Sequence, residues 1–304
     1  MSQTATTMGE RVPNDVVEGI LGQLPVKSLT QFRCVSKSWD SIITDPTFIT
    51  KHFKLNLNQS ESLISTNAHT SRVYDLDHII YLWNPSIRMF KKLLSTPFTN
   101  EDNKIYTMSV VGLAYNSQNN DFKILRLLSV LWGEAEAEIY SLSTDSWRKV
   151  VISMESLRGY EPNFGRIFQI DPPCIFLNGV LHTVAYTSRH PFILSFDVND
   201  ESFREMLLPF NHIDVVTFSH HALFKGSLAL FCFCWLFYGC TDKGELLIKN
   251  ATGLISFDPE NQKQNILAIE DADWVGFTAN SMESLILLNG ASIAEFVYNF
   301  SWYF

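Results

Sequence analysis

The sequence is poor in the features that mark membrane proteins and nucleic-acid-binding proteins. Lysine and arginine number 23 against 32 aspartates and glutamates, a net charge of −9, and the longest uninterrupted apolar run is the eleven residues from Leu228 to Tyr238. Eleven residues are too few to cross a bilayer, so we predict that this run is a strand in the interior of a β domain. The acidic balance disfavours nucleic acid or an anionic membrane surface as the main partner.

Cysteine is also scarce. The five cysteines, Cys34, Cys174, Cys232, Cys234 and Cys240, are odd in number and unevenly placed. This pattern fits a reducing compartment, so we expect a cytoplasmic location, with the nucleus as a second one. The last three cysteines could be metal ligands, but no CxxC pair recurs, and we interpret them as small buried hydrophobes. We therefore predict neither a metal nor a cofactor.

The signatures of common catalytic sites are missing as well. There is no Gly-x-Ser-x-Gly elbow, no phosphate-binding loop and no His-Glu-x-x-His motif, and the eight histidines are scattered. We predict no catalytic residues. Residues 1–9 are polar and lack the apolar core of a secretory signal, so we expect a flexible leader.

Three short helical patterns lie between residues 10 and 53. Asp15 is predicted to cap the first helix, with Glu18 completing a capping box. Ser36 is predicted to cap the third helix, and Asp45-Pro46 to end it. The apolar stripe predicted for the first helix consists of Val17, Ile20, Leu21 and Leu24. Helices this short cannot bury their large side chains alone, so they form either a subdomain packed on the rest of the chain or a docking module.

This stretch resembles a plant F-box domain. The matching residues include Pro13-x-Asp15, the run from Leu24 to Leu29 and the run from Phe32 to Trp39, and the main departure is Val12, where the family usually has leucine. The resemblance implies docking on the Skp adaptor of a cullin-based (SCF) ubiquitin ligase. The adaptor-binding face that it implies comprises Pro13, Ile20, Leu21, Leu24, Pro25, Leu29, Phe32, Val35, Trp39 and Ile42.

A second pattern, typical of β-strands, follows a polar connector at residues 54–78. Four units of an aromatic residue, a polar turn and a second large residue begin at Trp83, Tyr140, Phe196 and Phe257, at spacings of 57, 56 and 61. The second members of these units are Phe90, Trp147, Phe203 and Gln264. A period of this length with several strands per unit is typical of propeller blades. Asn178-Gly179 is predicted to be the turn of a further hairpin.

These segments resemble the kelch-like F-box-associated domain of plant F-box proteins, and are most similar to the S-locus F-box-like group. The matching pieces include Trp83-Asn84-Pro85-Ser86, Asn178-Gly179-x-Leu181-His182 and Glu283 to Leu288. The predicted fold class is therefore α+β multidomain, with a small all-α F-box at 10–53 and an all-β kelch-like propeller at 79–304. Two segments are shorter than in the family, before Trp83 and after Tyr238, which leaves open whether the first and last blades are complete.

The resemblance implies a non-catalytic substrate receptor that joins a Skp-type adaptor, and through it a cullin, to a target protein. The S-locus-like group also implies a target, a basic ribonuclease in self-incompatibility. Residues 1–53 hold five basic and five acidic residues, so the whole net charge of −9 belongs to the β domain. The acidic residues predicted to face a basic target, on loops or on an exposed strand edge, are Glu134, Glu136, Glu138, Glu270, Asp271 and Asp273. Two alternatives remain open, a shortened paralogue that docks the adaptor but holds no target, and a propeller oxidase.

Overall fold

The computed structural model places helices first and antiparallel sheets after them, which confirms the predicted fold class. The residues it describes are 12–57, 80–84, 86–93, 104–153, 166–188, 190–208, 219–232, 236–241, 243–250, 253–267 and 285. They fall into two compact units. The helical unit takes its described residues from Met1–Ser60, Asn84–Lys91 and Met282–Phe304, and the β unit from Glu61–Trp83 and Lys92–Ser281.

Four helices make up the N-terminal part, where the sequence predicted three. Their bounds are α1 Asn14–Leu21, α2 Val26–Phe32, α3 Lys37–Ile43 and α4 Pro46–Leu57. Asp45-Pro46 ends α3 as predicted but also begins α4. The Asp45 carboxylate accepts hydrogen bonds from the backbone N–H of Thr47 and Phe48, at 2.8 and 3.4 Å, and proline suits a first helical position because its missing N–H is not needed there.

Only one of the two predicted N-caps is present. Ser36 caps α3, since its Oγ accepts a hydrogen bond from the backbone N–H of Trp39 at 3.1 Å. The prediction that Asp15 caps α1 is wrong, because α1 begins at Asn14 directly after Pro13 and has no side-chain cap. Glu18 is not part of a capping box and instead pairs with Lys51 on α4, at 3.1 Å.

The core of the helical unit gathers side chains that are far apart in the sequence. The buried residues of this core are Leu21, Val26, Leu29, Ile43, Phe48, Ile49 and Leu285. Ile87, in a turn at residues 86–88, also packs against it. The four helices therefore complete their core with residues from outside the predicted 10–53 boundary.

Sixteen strands are described, and they form five antiparallel sheets. Two four-stranded sheets carry most of the core. The first consists of β3 Tyr106–Asn116, β4 Asp121–Val130, β5 Glu136–Ser141 and β6 Ser146–Val150. The second consists of β7 Ile167–Leu177, β8 Val180–Thr187, β9 Pro191–Asp197 and β10 Ser202–Leu207. A third four-stranded sheet consists of β13 Leu236–Cys240, β14 Leu246–Asn250, β15 Gly253–Asp258 and β16 Lys263–Ile266. The two-stranded sheets are β1 Tyr81–Asn84 with β2 Met89–Lys92, and β11 Ser219–Phe224 with β12 Ser227–Cys232.

The sheets of the β unit are arranged as propeller blades. Within each four-stranded sheet the strands pair in chain order. The first strands of successive sheets lie beside each other, β3 beside β7, β7 beside β11, and β11 beside β13. Four-stranded meanders joined through their first strands are the architecture of a propeller. The apolar run Leu228 to Tyr238, predicted as one strand, contributes to both β12 and β13.

The predicted repeat coincides with one recurring hairpin. Tyr140 lies opposite Trp147, Phe196 opposite Phe203 and Phe257 opposite Gln264. The two aromatic pairs are in contact, with ring centroids 5.3 and 4.7 Å apart. The side chains of Trp83 and Phe90, the first predicted pair, lie outside the described residues.

Each of these hairpins closes with the same four-residue turn. The residue five positions after the first aromatic has a left-handed backbone in all four units, and these residues are Arg88, Asp145, Glu201 and Gln262, with φ between 48 and 56°. The polar residue directly after the aromatic often holds the turn, as when Asp197 Oδ1 accepts the N–H of Asn199 at 2.9 Å. The predicted Asn178-Gly179 turn is confirmed, because both residues have positive φ between the paired Leu177 and Val180.

Apolar packing joins the sheets β3–β6 and β7–β10 into one core. The buried residues contributed by both sheets include Val110, Leu125, Leu127, Ile139, Ile170, Leu181, Phe192, Leu194 and Phe196. At Gly112 the strands approach so closely that a Cβ would lie 2.5 Å from the Sγ of Cys174. A larger residue there would force β3 and β7 apart.

A polar network reinforces the same junction. Asn116 Nδ2 donates to the carbonyl of Val198 at 3.0 Å, and Lys123 Nζ donates to Glu201 Oε1 at 2.5 Å. Arg148 binds the other carboxylate oxygen of Glu201. Burial would raise the pKa of Glu201, but these bonds outweigh it and hold that pKa below its usual value. The turn that precedes β10 is thus fixed to the neighbouring sheet.

Candidate functional site

An exposed apolar surface covers one side of α1. Val12, Val16 and Ile20 are 57%, 47% and 57% exposed. Val16 and Ile20, four residues apart on α1, lie on one face of that helix, while Val17 and Leu21 point into the core of the helical unit. Val12 lies two residues before α1 begins. Val35, in the turn between α2 and α3, is exposed at 59%. We call these four residues, Val12, Val16, Ile20 and Val35, the helical apolar surface.

The residues predicted to bind the adaptor divide by burial. Those that are exposed are Pro13, Ile20, Pro25 and Val35. Those that are half-buried are Leu24, Phe32, Trp39 and Ile42. Leu21 and Leu29 are at most 1% exposed, so their assignment to a contact face is wrong, and they serve as core residues instead. Their burial follows from the helical period, which turns them toward Val26 and Ile43.

Two residues of the helical apolar surface were missed from the sequence. Val12 was noted only as a departure from the F-box pattern, and Val16 was not assigned. The signal that could have found Val16 is its spacing of four from Ile20 on the predicted first helix. The predicted apolar stripe placed Ile20 and Leu21 on the same buried face. Adjacent helical residues point about 100° apart, and here Leu21 is buried while Ile20 is exposed.

The turn that carries Val35 is rigidly supported. The rings of Phe32 and Trp39 meet edge to face, with centroids 5.5 Å apart. Arg33 Nε donates to Asp40 Oδ1 at 2.7 Å and so links the end of α2 to α3. These contacts fix the angle between the two helices and hold Val35 outward.

The acidic residues predicted to bind a target do not share one environment. Glu138 is fully buried in the middle of β5, and its Oε1 accepts a hydrogen bond from Arg126 Nη1 on β4 at 3.2 Å. Arg126 Nε donates to Ser109 Oγ on β3 at 3.1 Å. The expectation that Glu138 lies on an exposed edge is therefore wrong, because β5 pairs with β4 on one side and β6 on the other.

Glu134 and Glu136 lie near the start of β5. Glu134 is exposed and lies 3.5 Å from Arg166 Nε. Glu136 pairs with Lys104 and accepts from the hydroxyl of Tyr106 at 3.1 Å. These two carboxylates remain candidates for target contact. Glu270, Asp271 and Asp273 lie outside the described residues.

The described part of the chain offers no group of three histidine, cysteine, aspartate or glutamate side chains placed to hold a metal. Of the cysteines considered as ligands, Cys234 and the side chain of Cys232 lie outside it. The buried His182 Nδ1 lies 3.0 Å from Ser195 Oγ, and burial lowers the pKa of His182. Within the described ranges no helix has the length and apolar character needed to span a bilayer.

Comparison with known proteins gives two domain matches. The model of the F-box domain matches residues 10–51, and that of the F-box associated beta propeller domain matches residues 70–231, which is more than half of the chain. Similar proteins include an F-box/kelch-repeat protein of Arabidopsis thaliana, 27% identical over 254 residues that cover 64% of this chain and 65% of the relative. An F-box/LRR-repeat/kelch-repeat protein of the same plant is 26% identical over 227 residues, 67% of this chain and 62% of the relative. The chain thus spans somewhat less than two thirds of the length of these curated relatives.

Proposed function

Because the chain belongs to the F-box proteins that carry an F-box-associated β-propeller domain, we propose that it is a substrate receptor of an SCF-type ubiquitin ligase. The helical unit docks a Skp-type adaptor, and through it a cullin, while the β unit holds a target protein. The chain catalyses no step itself. It acts by proximity, because holding the target raises the effective concentration of its lysines near the charged conjugating enzyme.

The observation that supports adaptor docking most strongly is the helical apolar surface. Its four side chains are about half exposed although the buried core of the same helices is well filled. Covering apolar area contributes about 25 cal/mol per Å², so a partner gains free energy by packing there. Val16 and Ile20 are neighbours on α1, and adjoining exposed apolar side chains mark protein interaction sites.

The experiment is co-purification of the full chain with a Skp-type adaptor. Ile20→Asp combined with Val35→Asp is expected to abolish co-purification, because two charges would be desolvated without a partner. The control is Ile266→Asp, which places one such charge on a still more exposed apolar position of β16. Adaptor binding that survives the double substitution contradicts the proposal, provided that circular dichroism shows the same folded state for all variants.

The proposal extends to the target and to the location. The target is a basic protein, and a ribonuclease of self-incompatibility fits this chemistry. The support is the charge distribution. Residues 54–304 hold 27 acidic and 18 basic residues, and a negatively charged domain speeds encounter with a basic partner. A target captured with the ligase and found to be strongly acidic would contradict this extension.

The proposed location is the cytoplasm, and also the nucleus.

A further inference from the structure

One end of the β unit carries exposed apolar side chains. Around the starts of β3 and β7 these are Ile105, Leu131, Trp132 and Phe168, which we call the apolar end. The opposite end of the same two sheets consists of polar four-residue turns at 117–120, 142–145 and 198–201, with the sequences Ser-Gln-Asn-Asn, Leu-Ser-Thr-Asp and Val-Asn-Asp-Glu. The two ends therefore differ sharply in the chemistry they offer to a partner.

The four residues of the apolar end are neighbours in space. The backbone N–H of Leu131 donates to the carbonyl of Ile105 at 2.8 Å, which ties the loop after β4 to the residue before β3. The N–H of Ala135 donates to the carbonyl of Ile167 at 3.0 Å, which ties the same loop to β7. Phe168 follows Ile167 in the chain, and its side chain is exposed whereas that of Ile167 is buried. The loop 131–135 thus bridges two sheets and makes their apolar residues one surface.

The loop presents Trp132 outward. Its side chain is 91% exposed, and its φ of 60° is left-handed, which is rare for a bulky residue. Arg166 Nη1 lies 3.5 Å from the carbonyl oxygen of Trp132, and the N–H of Gly133 donates to the carbonyl oxygen of Val130 at 3.1 Å. A Cβ on Gly133 would lie 2.5 Å from Val130 Cγ1, so the turn requires glycine. Such a backbone persists only where its surroundings maintain it, and tryptophan is enriched among residues that dominate binding energy.

The charges beside Trp132 are already balanced within the chain. Glu134 faces Arg166 and Glu136 faces Lys104. Among the described residues, the apolar end thus has an apolar centre flanked by two ion pairs whose charges cancel, an arrangement common at protein interfaces. A segment that binds beside these two pairs needs no charge of its own to neutralise them.

We propose that the apolar end is the surface on which the target docks, with Trp132 as its anchor, and that it takes an uncharged, apolar segment of the target protein. This inference rests on the proposed function, since it assigns the place where the β unit holds its target. The net negative charge of the domain acts at long range on encounter with a basic protein, whereas the contact itself is apolar.

The test uses a random peptide library displayed on phage, selected on the immobilised full chain. The enriched peptides are expected to combine aliphatic and aromatic residues with a net charge near zero. Their synthetic forms are expected to bind the Trp132→Ala chain at least about tenfold more weakly, the loss typical of an anchoring residue. The matched control is Ile266→Ala, which truncates an exposed apolar residue of another sheet and is expected to leave the affinity unchanged.

Several results would overturn the inference. They are the absence of enrichment, enrichment of strongly basic or acidic peptides, and an affinity that Trp132→Ala leaves unchanged. Self-association of the wild-type chain that disappears in Trp132→Ala, measured by sedimentation, would identify a second copy as the occupant and equally overturn it. Adaptor co-purification is measured on the same preparations, so a failure of adaptor docking is distinguished from a failure at the apolar end.

Discussion

The ion pair of Arg126 and Glu138 is buried in the middle of the first complete sheet. Both side chains are at most 2% exposed. Removing two charges from water is costly, and the cost is offset only when the charges face each other and form further hydrogen bonds. Ser109 supplies one of these bonds. The pair therefore stabilises the sheet only while both members are present.

At the residue scale the structure predicts unequal effects for two nearby glutamates. Glu138→Ala is expected to lower the free energy of unfolding by about 3–5 kcal/mol, because Arg126 would be left buried without its counter-charge. Glu134→Ala, the control, is expected to change it by less than about 0.5 kcal/mol, because Glu134 is largely exposed. Urea unfolding of both variants measures the difference, and equal stability of the two would contradict the assignment.

The sequence predicts which residues of β5 share a face of the strand, but it does not predict how deeply each of them is buried. Glu136 and Glu138 lie on the same face of the strand, as a period of two requires. One is near the end of the strand and partly exposed, and the other is in its middle and covered. The difference depends on pairing with β6 and packing of neighbouring strands, which arise from long-range contacts that a local pattern does not contain.

At the scale of elements, the recurring hairpin carries the fold of the β unit. Tyr140 is completely buried, and its hydroxyl donates to Asp145, the left-handed residue of its own turn. Burial, and then this bond, raise the pKa of Tyr140 well above its usual value. The aromatic, its cross-strand partner Trp147 and the turn thus form one local unit. This unit was predictable because turn chemistry and cross-strand pairing act over fewer than ten residues.

The two aromatics of this hairpin are expected to differ in importance. Tyr140→Ala is expected to cost about 3–5 kcal/mol, the range for a fully buried large aromatic. Trp147→Ala is expected to cost less, because the indole remains partly exposed on the outer strand. Thermal unfolding of the two variants gives the order, with Trp147→Phe as a control that keeps a ring against Tyr140. A larger loss of unfolding free energy for Trp147→Ala than for Tyr140→Ala would contradict this order and indicate that Trp147 is the more deeply buried of the two.

At the scale of the whole molecule, the order of helices and sheets was predictable, but the composition of the helical unit was not. The F-box pattern indicated helices, and the repeat indicated blades. The fourth helix was missed because Asp45-Pro46 is equally compatible with a stop and with a new start. The packing of Ile87 and Leu285 against the helices was also missed, because nothing local in the sequence links residues so far apart.

Hydrogen–deuterium exchange of the full chain, alone and with a purified Skp-type adaptor, tests the central claim most directly. Adaptor docking on the helical apolar surface is expected to slow exchange in peptides covering residues 12–21 and 33–36. Peptides from β3 to β10 are expected to exchange at the same rate in both states. Protection confined to those strands, or helices whose exchange is unchanged at saturating adaptor, would contradict the account.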